Sequence, residues 1–248
     1  MKQRSSQTMK GAFVFVAIVA ALVLATVATA DRRGGPDMRP HEPQTDVSKA
    51  PQGALPPGAE VLEQQPFDAV PPGWNVVANT PLPDQQPSWV VEGGVLAQDM
   101  TNGIGADFAP VQYLAPRMLA GDGTISAQVF PQGNQVVGLV FRSTEAGQYL
   151  FLIHRDVPDA PVVAQLLRYE TASGTFTTLG ETTTGTGFQL GRWQELRVEL
   201  NGATITAAFD GQQVFSVQDR TFTTGRAGVH TLALGEVLFD NFTIAKHK

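Results

Sequence analysis

The sequence predicts an all-β protein, with one antiparallel two-sheet sandwich over residues 61–245 behind an export leader and a Pro/Gly-rich connector. Three observations predict it. Short apolar runs alternate with turn residues at intervals of about 8–12, the spacing of a sandwich or barrel. No window of eleven or more residues outside the leader repeats its apolar positions with the helical period. The composition leans toward Thr, Val, Gly and Gln, with 25 Gly and 17 Pro, which suits strands and turns.

The leader comes first. Lys2, Arg4 and Lys10 precede an apolar run from Gly11 to Val27 that ends in Ala28-Thr29-Ala30, the small-x-small pattern that a signal peptidase accepts. Residues 1–30 are therefore read as a signal peptide or an uncleaved signal anchor. The run is long enough to span a bilayer, and Arg32 and Arg33 beyond the cut are unusual for an exported segment. In both cases the positive leader side places the rest of the chain outside the cytoplasm, secreted or at the cell surface. Membrane contact is expected only through residues 11–30, if they stay uncleaved.

Without the leader's three basic residues, 14 Lys and Arg face 23 Asp and Glu, a formal charge of −9. So acidic a chain does not hold nucleic acid through phosphates, and no basic stripe is present. Cys is absent, which removes disulfides, thiolate nucleophiles and Cys-bound zinc.

Residues 31–60 carry Pro36, Pro40, Pro43, Pro51, Pro56 and Pro57 and hardly a large apolar residue before Leu55. Such a segment buries too little surface to offset its ordering entropy, so it reads as a flexible linker.

Strands are predicted over 123–130, 136–142, 149–154, 162–169 and 176–179, with Ala172-Ser173-Gly174 turning the last pair. The clearest stretch is 193–217. Leu196, Val198 and Leu200 alternate on one face, Asn201-Gly202 is expected to turn with both residues at positive φ, and Asp210-Gly211 to turn again. Strands over 227–234 and 237–244 close the domain. In 138–142, alternation puts Leu139 and Phe141 on one face and Gly138, Val140 and Arg142 on the other.

These strands carry an ordered set of signatures: Phe67-Asp68, Gly73-Trp74, Trp89-Val90-Val91-Glu92-Gly93-Gly94-Val95-Leu96, Gly138-Leu139-Val140-Phe141-Arg142 with Tyr149, Trp193-Gln194-Glu195-Leu196-Arg197-Val198 with Asp210-Gly211, and Phe239-Asp240-Asn241-Phe242. The set resembles concanavalin A-like (lectin/glucanase, laminin-G-like) domains. Its hairpin and ending also resemble the 3-keto-disaccharide hydrolase-type jelly rolls. The resemblance implies a jelly-roll sandwich and leaves the function open, since this fold hosts lectins, glycosidases and adhesive modules.

The resemblance also implies one structural Ca²⁺, with Asp68 and Asp240 as ligands at the two ends of the domain. The alternative is that Asp240 caps a local turn. Arg142, Tyr149 and His154 are candidates for the concave face, where an aromatic platform with hydrogen-bond donors suits sugar hydroxyls; the alternative places Tyr149 in the core. Trp74, in a Pro-Pro-Gly-Trp loop, is the Trp most suited to ligand contact, whereas Trp89 and Trp193 read as core.

No catalytic set is found. The E-x-D-x-x-E strand of the related glucanases is absent, no Ser lies in G-x-S-x-G, and no two His have ligand spacing. Gly103-Ile104-Gly105 is too short for a phosphate loop. The expectation is an extracytoplasmic carbohydrate-binding domain on a flexible linker. The alternatives are a glycoside hydrolase of the keto-sugar type and a non-catalytic structural or adhesive envelope module.

Overall fold

The computed structural model describes residues 49–78, 88–99, 111–132, 135–155, 161–184, 189–233 and 237–248. The leader, most of the predicted linker and the 103–105 glycines lie outside the described residues.

Fifteen strands, and no helix, occur among the described residues: β1 Glu60–Gln65, β2 Asn75–Ala78, β3 Ser88–Glu92, β4 Val95–Asp99, β5 Val111–Ala120, β6 Gly123–Pro131, β7 Gln135–Thr144, β8 Gly147–His154, β9 Val162–Glu170, β10 Thr175–Thr184, β11 Gln194–Asn201, β12 Thr204–Phe209, β13 Gln212–Gln218, β14 Thr224–Ala233 and β15 Val237–Lys246. They form two antiparallel sheets. The first runs β13-β12-β11-β6-β15-β4-β3, with β1 also on β15. The second runs β10-β9-β8-β7-β14-β5-β2. This is the expected all-β jelly-roll sandwich.

Period-2 patterning drives the layers together. In β11, Leu196, Val198 and Leu200 are fully buried, and in β12 Ile205, Ala207 and Phe209 are too. They meet Leu139, Phe141, Tyr149, Phe151 and Ile153 of the second sheet in one core. Each such apolar side chain taken from water contributes roughly 1.5–3 kcal/mol.

The ends of the domain lie side by side, because β1 pairs with β15 from Glu60 against Lys246 to Gln65 against Phe242. Trp74 fastens the junction. Its ring meets Phe67 at 5.6 Å, Tyr113 at 5.0 Å and Phe242 at 4.9 Å.

Two expectations need correction. The Asn201-Gly202 turn is not a double positive-φ turn: Gly202 has φ 56° and Asn201 does not, while Asn201 pairs with Thr204. Gly202 and Ala203 are thus the central residues, with the sign pattern of a II′ turn. At Asp210-Gly211 both φ values are positive, 47° and 78°, as expected. Second, β5 was not foreseen. Pro116 within it reads as a strand breaker, but it falls where the β14 pairing jumps from Met118 to Leu114, a bulge that spares the ladder a missing donor.

The last residues of the predicted linker are described, and they lie on the first sheet. Ala50 donates its backbone N–H to Asp240 at 3.0 Å, and Arg197 Nη2 donates to the Ala54 carbonyl at 2.5 Å. Asp240, Gln128 and Glu195 form one cross-strand row on β15, β6 and β11. Residues 49–54 cross that row as a strap.

Candidate functional site

The outward face of the second sheet, turned away from the core, carries a polar–apolar–polar pattern in register. Nearest the β7–β8 hairpin, Met118, Arg226 and Ser143 are cross-strand partners, and Gln148, Tyr169 and Phe176 continue the line. The next row is apolar: Leu114, Gly228, Val140, Leu150 and Leu167. The third holds Gln112, His230, Gly138, Leu152, Gln165 and Glu181.

The first rows enclose a groove of about 520 Å³. Leu114, Met118 and Val77 supply its apolar surface, and Arg226, Glu145, Gln148 and Tyr169 its polar groups. Ser143 donates to Gln148 Oε1 at 3.1 Å, which fixes the amide at the groove wall. Tyr169 is braced by Phe176, with ring centroids 4.9 Å apart. Arg226 makes no hydrogen bond or ion pair among the described residues, so its donors face the groove unspent.

In the third row, His230 is buried, and its pKa is pushed down to about 4 by loss of hydration. Its Nδ1 and the Oε1 of neighbouring Gln112 have no hydrogen-bond partner among the described residues. Gln165 donates to Glu181 at 2.7 Å.

The four residues expected to form one ligand site are not brought together. Arg142 and Tyr149, candidates for the concave face, both lie inside, Tyr149 fully buried as the alternative reading had it and Arg142 2% exposed. Tyr149 falls inside by plain alternation with Phe151 and Ile153, opposite Phe141, whereas Arg142 is turned in by a bulge. Arg142 has φ 48°, and the β7–β8 register slips between Phe141 and Thr144, so alternation fails at Arg142. Tyr149 stacks on Phe141 at 5.4 Å, donates to Asp219 at 2.5 Å and accepts the Phe222 N–H at 3.1 Å. Burial and the Asp219 bond push its pKa up to about 12. Burial also lowers the Arg142 pKa, against attraction from Tyr149, Asp122 and Asp219.

Trp74 is buried in the aromatic junction, its Nε1 donating to Glu63 at 3.3 Å. His154 does lie on the outward face of β8, buried, at the end away from the groove. The groove residues Tyr169, Arg226, Gln148 and Glu145 were missed. The signal was present in the parity of β8 and β9, where Gln148 and Tyr169 fall opposite the core positions.

Asp68 and Asp240 are brought together. The Asp240 carboxylate is buried and accepts the N–H groups of Ala50 and Asn241 at 3.0 and 2.7 Å. Burial raises its pKa; those hydrogen bonds and the Lys49 charge oppose the rise, and the Asp68 charge adds to it. Lys49 Nζ is ion-paired with Asp68. Two converging carboxylates suit a hard cation, and no third Asp, Glu or His joins them among the described residues, so water and peptide carbonyls would complete a shell. Only with the Lys49 ammonium absent would Asp68 and Asp240 hold such an ion, and it would then pin the start of the domain to its end.

Fold and register define a concanavalin A-like jelly roll. Solved structures with the same fold include a carbohydrate-binding module, CBM66, from Bacillus subtilis, at 17% identity and TM-score 0.54 over 71% of this chain and 96% of that one. A Bacillus subtilis protein of unknown function with a galectin-like fold matches at 10% identity and TM-score 0.55, over 76% and 98%. A β-1,3-glucanase from Mycobacterium marinum matches at 12% and 0.51, over 75% and 99%. No protein-family model and no curated protein matches the chain.

Proposed function

We propose that this chain is an extracytoplasmic glycan-binding protein whose ligand lies in the groove of the second sheet. The observation that carries the reading is one groove lined by the unpaired Arg226 on β14 and by Gln148 and the braced Tyr169 on β8 and β9, over an apolar floor. A sugar ring presents hydroxyls at its edge and C–H groups on its faces, and this arrangement meets both. The volume falls within the range of small-ligand clefts. Kinship of fold with a carbohydrate-binding module supports the reading.

Binding is favoured over hydrolysis by the groove's acid content. Glycosidases of the common kinds flank the scissile bond with two carboxylic groups, and Glu145 is the single carboxylate lining the groove among the described residues. The leader read in the sequence supports display outside the cell. Residues 49–54 run along the outward face of the first sheet, on the side of the sandwich opposite the groove.

The test is a glycan array with the full chain and with Arg226→Ala. Retention of a saccharide class by the native protein and its loss in the variant supports the reading. Absence of any retained glycan at millimolar concentration overturns it in favour of an adhesive module, and release of reducing sugar points to the hydrolase.

A further inference from the structure

We infer that the Lys49 ammonium takes the place of a divalent cation at Asp68 and Asp240, fastening the strap without metal, and that removal of this side chain leaves a calcium site. The inference is independent of what the groove binds.

Gly94 leaves room for the end of the lysine. Gly94 has φ 81°, and a Cβ there would stand 2.6 Å from Lys49 Cε and 3.7 Å from Asp68 Oδ1. The missing side chain at Gly94 therefore opens the trough in which the lysine stem lies. Its Nζ pairs with Asp68 and acts on the buried Asp240 charge.

The strap next to Lys49 is held from both sides. Ala50 donates to Asp240, and Asn241 Nδ2 donates to the carbonyls of Ala50 and Pro51 at 2.9 and 3.2 Å. Asn241 can do so because it sits at φ 49° in the bulge where β15 slips against β6, between Asp240 and Thr243. Farther on, a Cβ on Gly53 would stand 2.6 Å from Glu195 Oε1, so the strap passes close to the Glu195 side chain there.

Charge balance explains the choice of residue. A buried carboxylate beside a second one needs positive charge nearby. A free ion supplies it at the cost of depending on ion concentration, whereas a tethered ammonium supplies it at high local concentration. The Lys49–Asp68 pair alone is half exposed and would add little. Its effect comes through Asp240 and the strap.

The native chain gives the first test. A protease that cuts after lysine probes the Lys49–Ala50 bond, whose N–H is held by Asp240. Cleavage there is expected at the same rate, to within about twofold, in calcium and in chelator. Faster cleavage in chelator would show that a metal holds the strap and overturns the inference.

The second test is calorimetry and melting of Lys49→Met against Lys49→Arg. Lys49→Met is expected to bind one calcium per chain and to melt higher by several degrees with calcium, since an ion bound only to the native state raises the midpoint. Lys49→Arg keeps the charge and stays insensitive. A folded Lys49→Met without calcium binding overturns the inference. If Lys49→Met folds only when calcium is added, the inference stands; if it folds in neither buffer, the assigned role is wrong.

Discussion

The Tyr149 hydroxyl is shared between Asp219, to which it donates at 2.5 Å, and the Phe222 N–H, which it accepts at 3.1 Å. Asp219 also accepts from Arg168 Nη1, at 2.5 Å, and from the Thr221 N–H, at 2.8 Å. One tyrosine on β8 thereby locks the segment between β13 and β14 to the second sheet. Burial works to raise the Asp219 pKa; it is outweighed by the bonds from Tyr149, Thr221 and Arg168, which hold it below the usual carboxylate range.

Tyr149→Phe keeps the ring stacked on Phe141 and removes the hydroxyl. It leaves the Phe222 N–H and one Asp219 lone pair without their partner. A loss of about 1–3 kcal/mol is expected in denaturant unfolding. A variant as stable as the native chain would show that this lock is not formed.

His230 predicts an acid-sensitive fold. Its folded pKa of about 4 lies below the ordinary 6.5, so the unfolded chain takes up the proton first. Stability is then full above pH 6.5 and is lost as pH falls toward 4, by about 3 kcal/mol for this group. His230→Gln should flatten the stability profile in that window; an unchanged slope would assign the acid lability elsewhere.

Gly138 lies beside His230 in the third row, and a Cβ there would fall against the Phe151 carbonyl oxygen and 2.8 Å from Leu152 Cδ2. The obstacle is backbone of the neighbouring strand, which cannot swing aside. Gly138→Ala should destabilise by about 1–3 kcal/mol, measured by thermal melting, with groove binding altered only through stability.

Tyr169→Ala and Gln148→Ala should weaken glycan retention while moving the melting midpoint little, because both side chains lie at the groove rather than in the inter-sheet core. Loss of a stacking aromatic is expected to cost about 1–2 kcal/mol, roughly tenfold in Kd. Equal affinity in both variants would remove the groove from consideration.

Much of the architecture was legible because alternation is a local property. β11 and β12 follow Leu196-Val198-Leu200 and Ile205-Ala207-Phe209, and Asp210-Gly211 turns as its residues demand. Alternation misled where the backbone inserts a residue. Arg142 moves inward at its bulge, and Pro116 is absorbed by another, because register slips depend on the partner strand and leave no periodic mark. The nearness of Asp68 and Asp240 was implied by the resemblance alone. Lys49 was not legible, since 190 positions of chain separate Ala50 from Asp240 and their contact exists only in the folded sandwich.

By itself the sequence determined the two-sheet class, the inward faces and the acidic charge, because each follows from residue type and from neighbours one or two positions away. The tertiary structure decided which polar groups meet. The Arg226–Tyr169 groove is assembled from strands β9 and β14, far apart in sequence, and the Lys49 strap closes over Asp240 from the opposite end of the domain. Such meetings are set by strand order and register, and those depend on the packing of the whole sandwich at once.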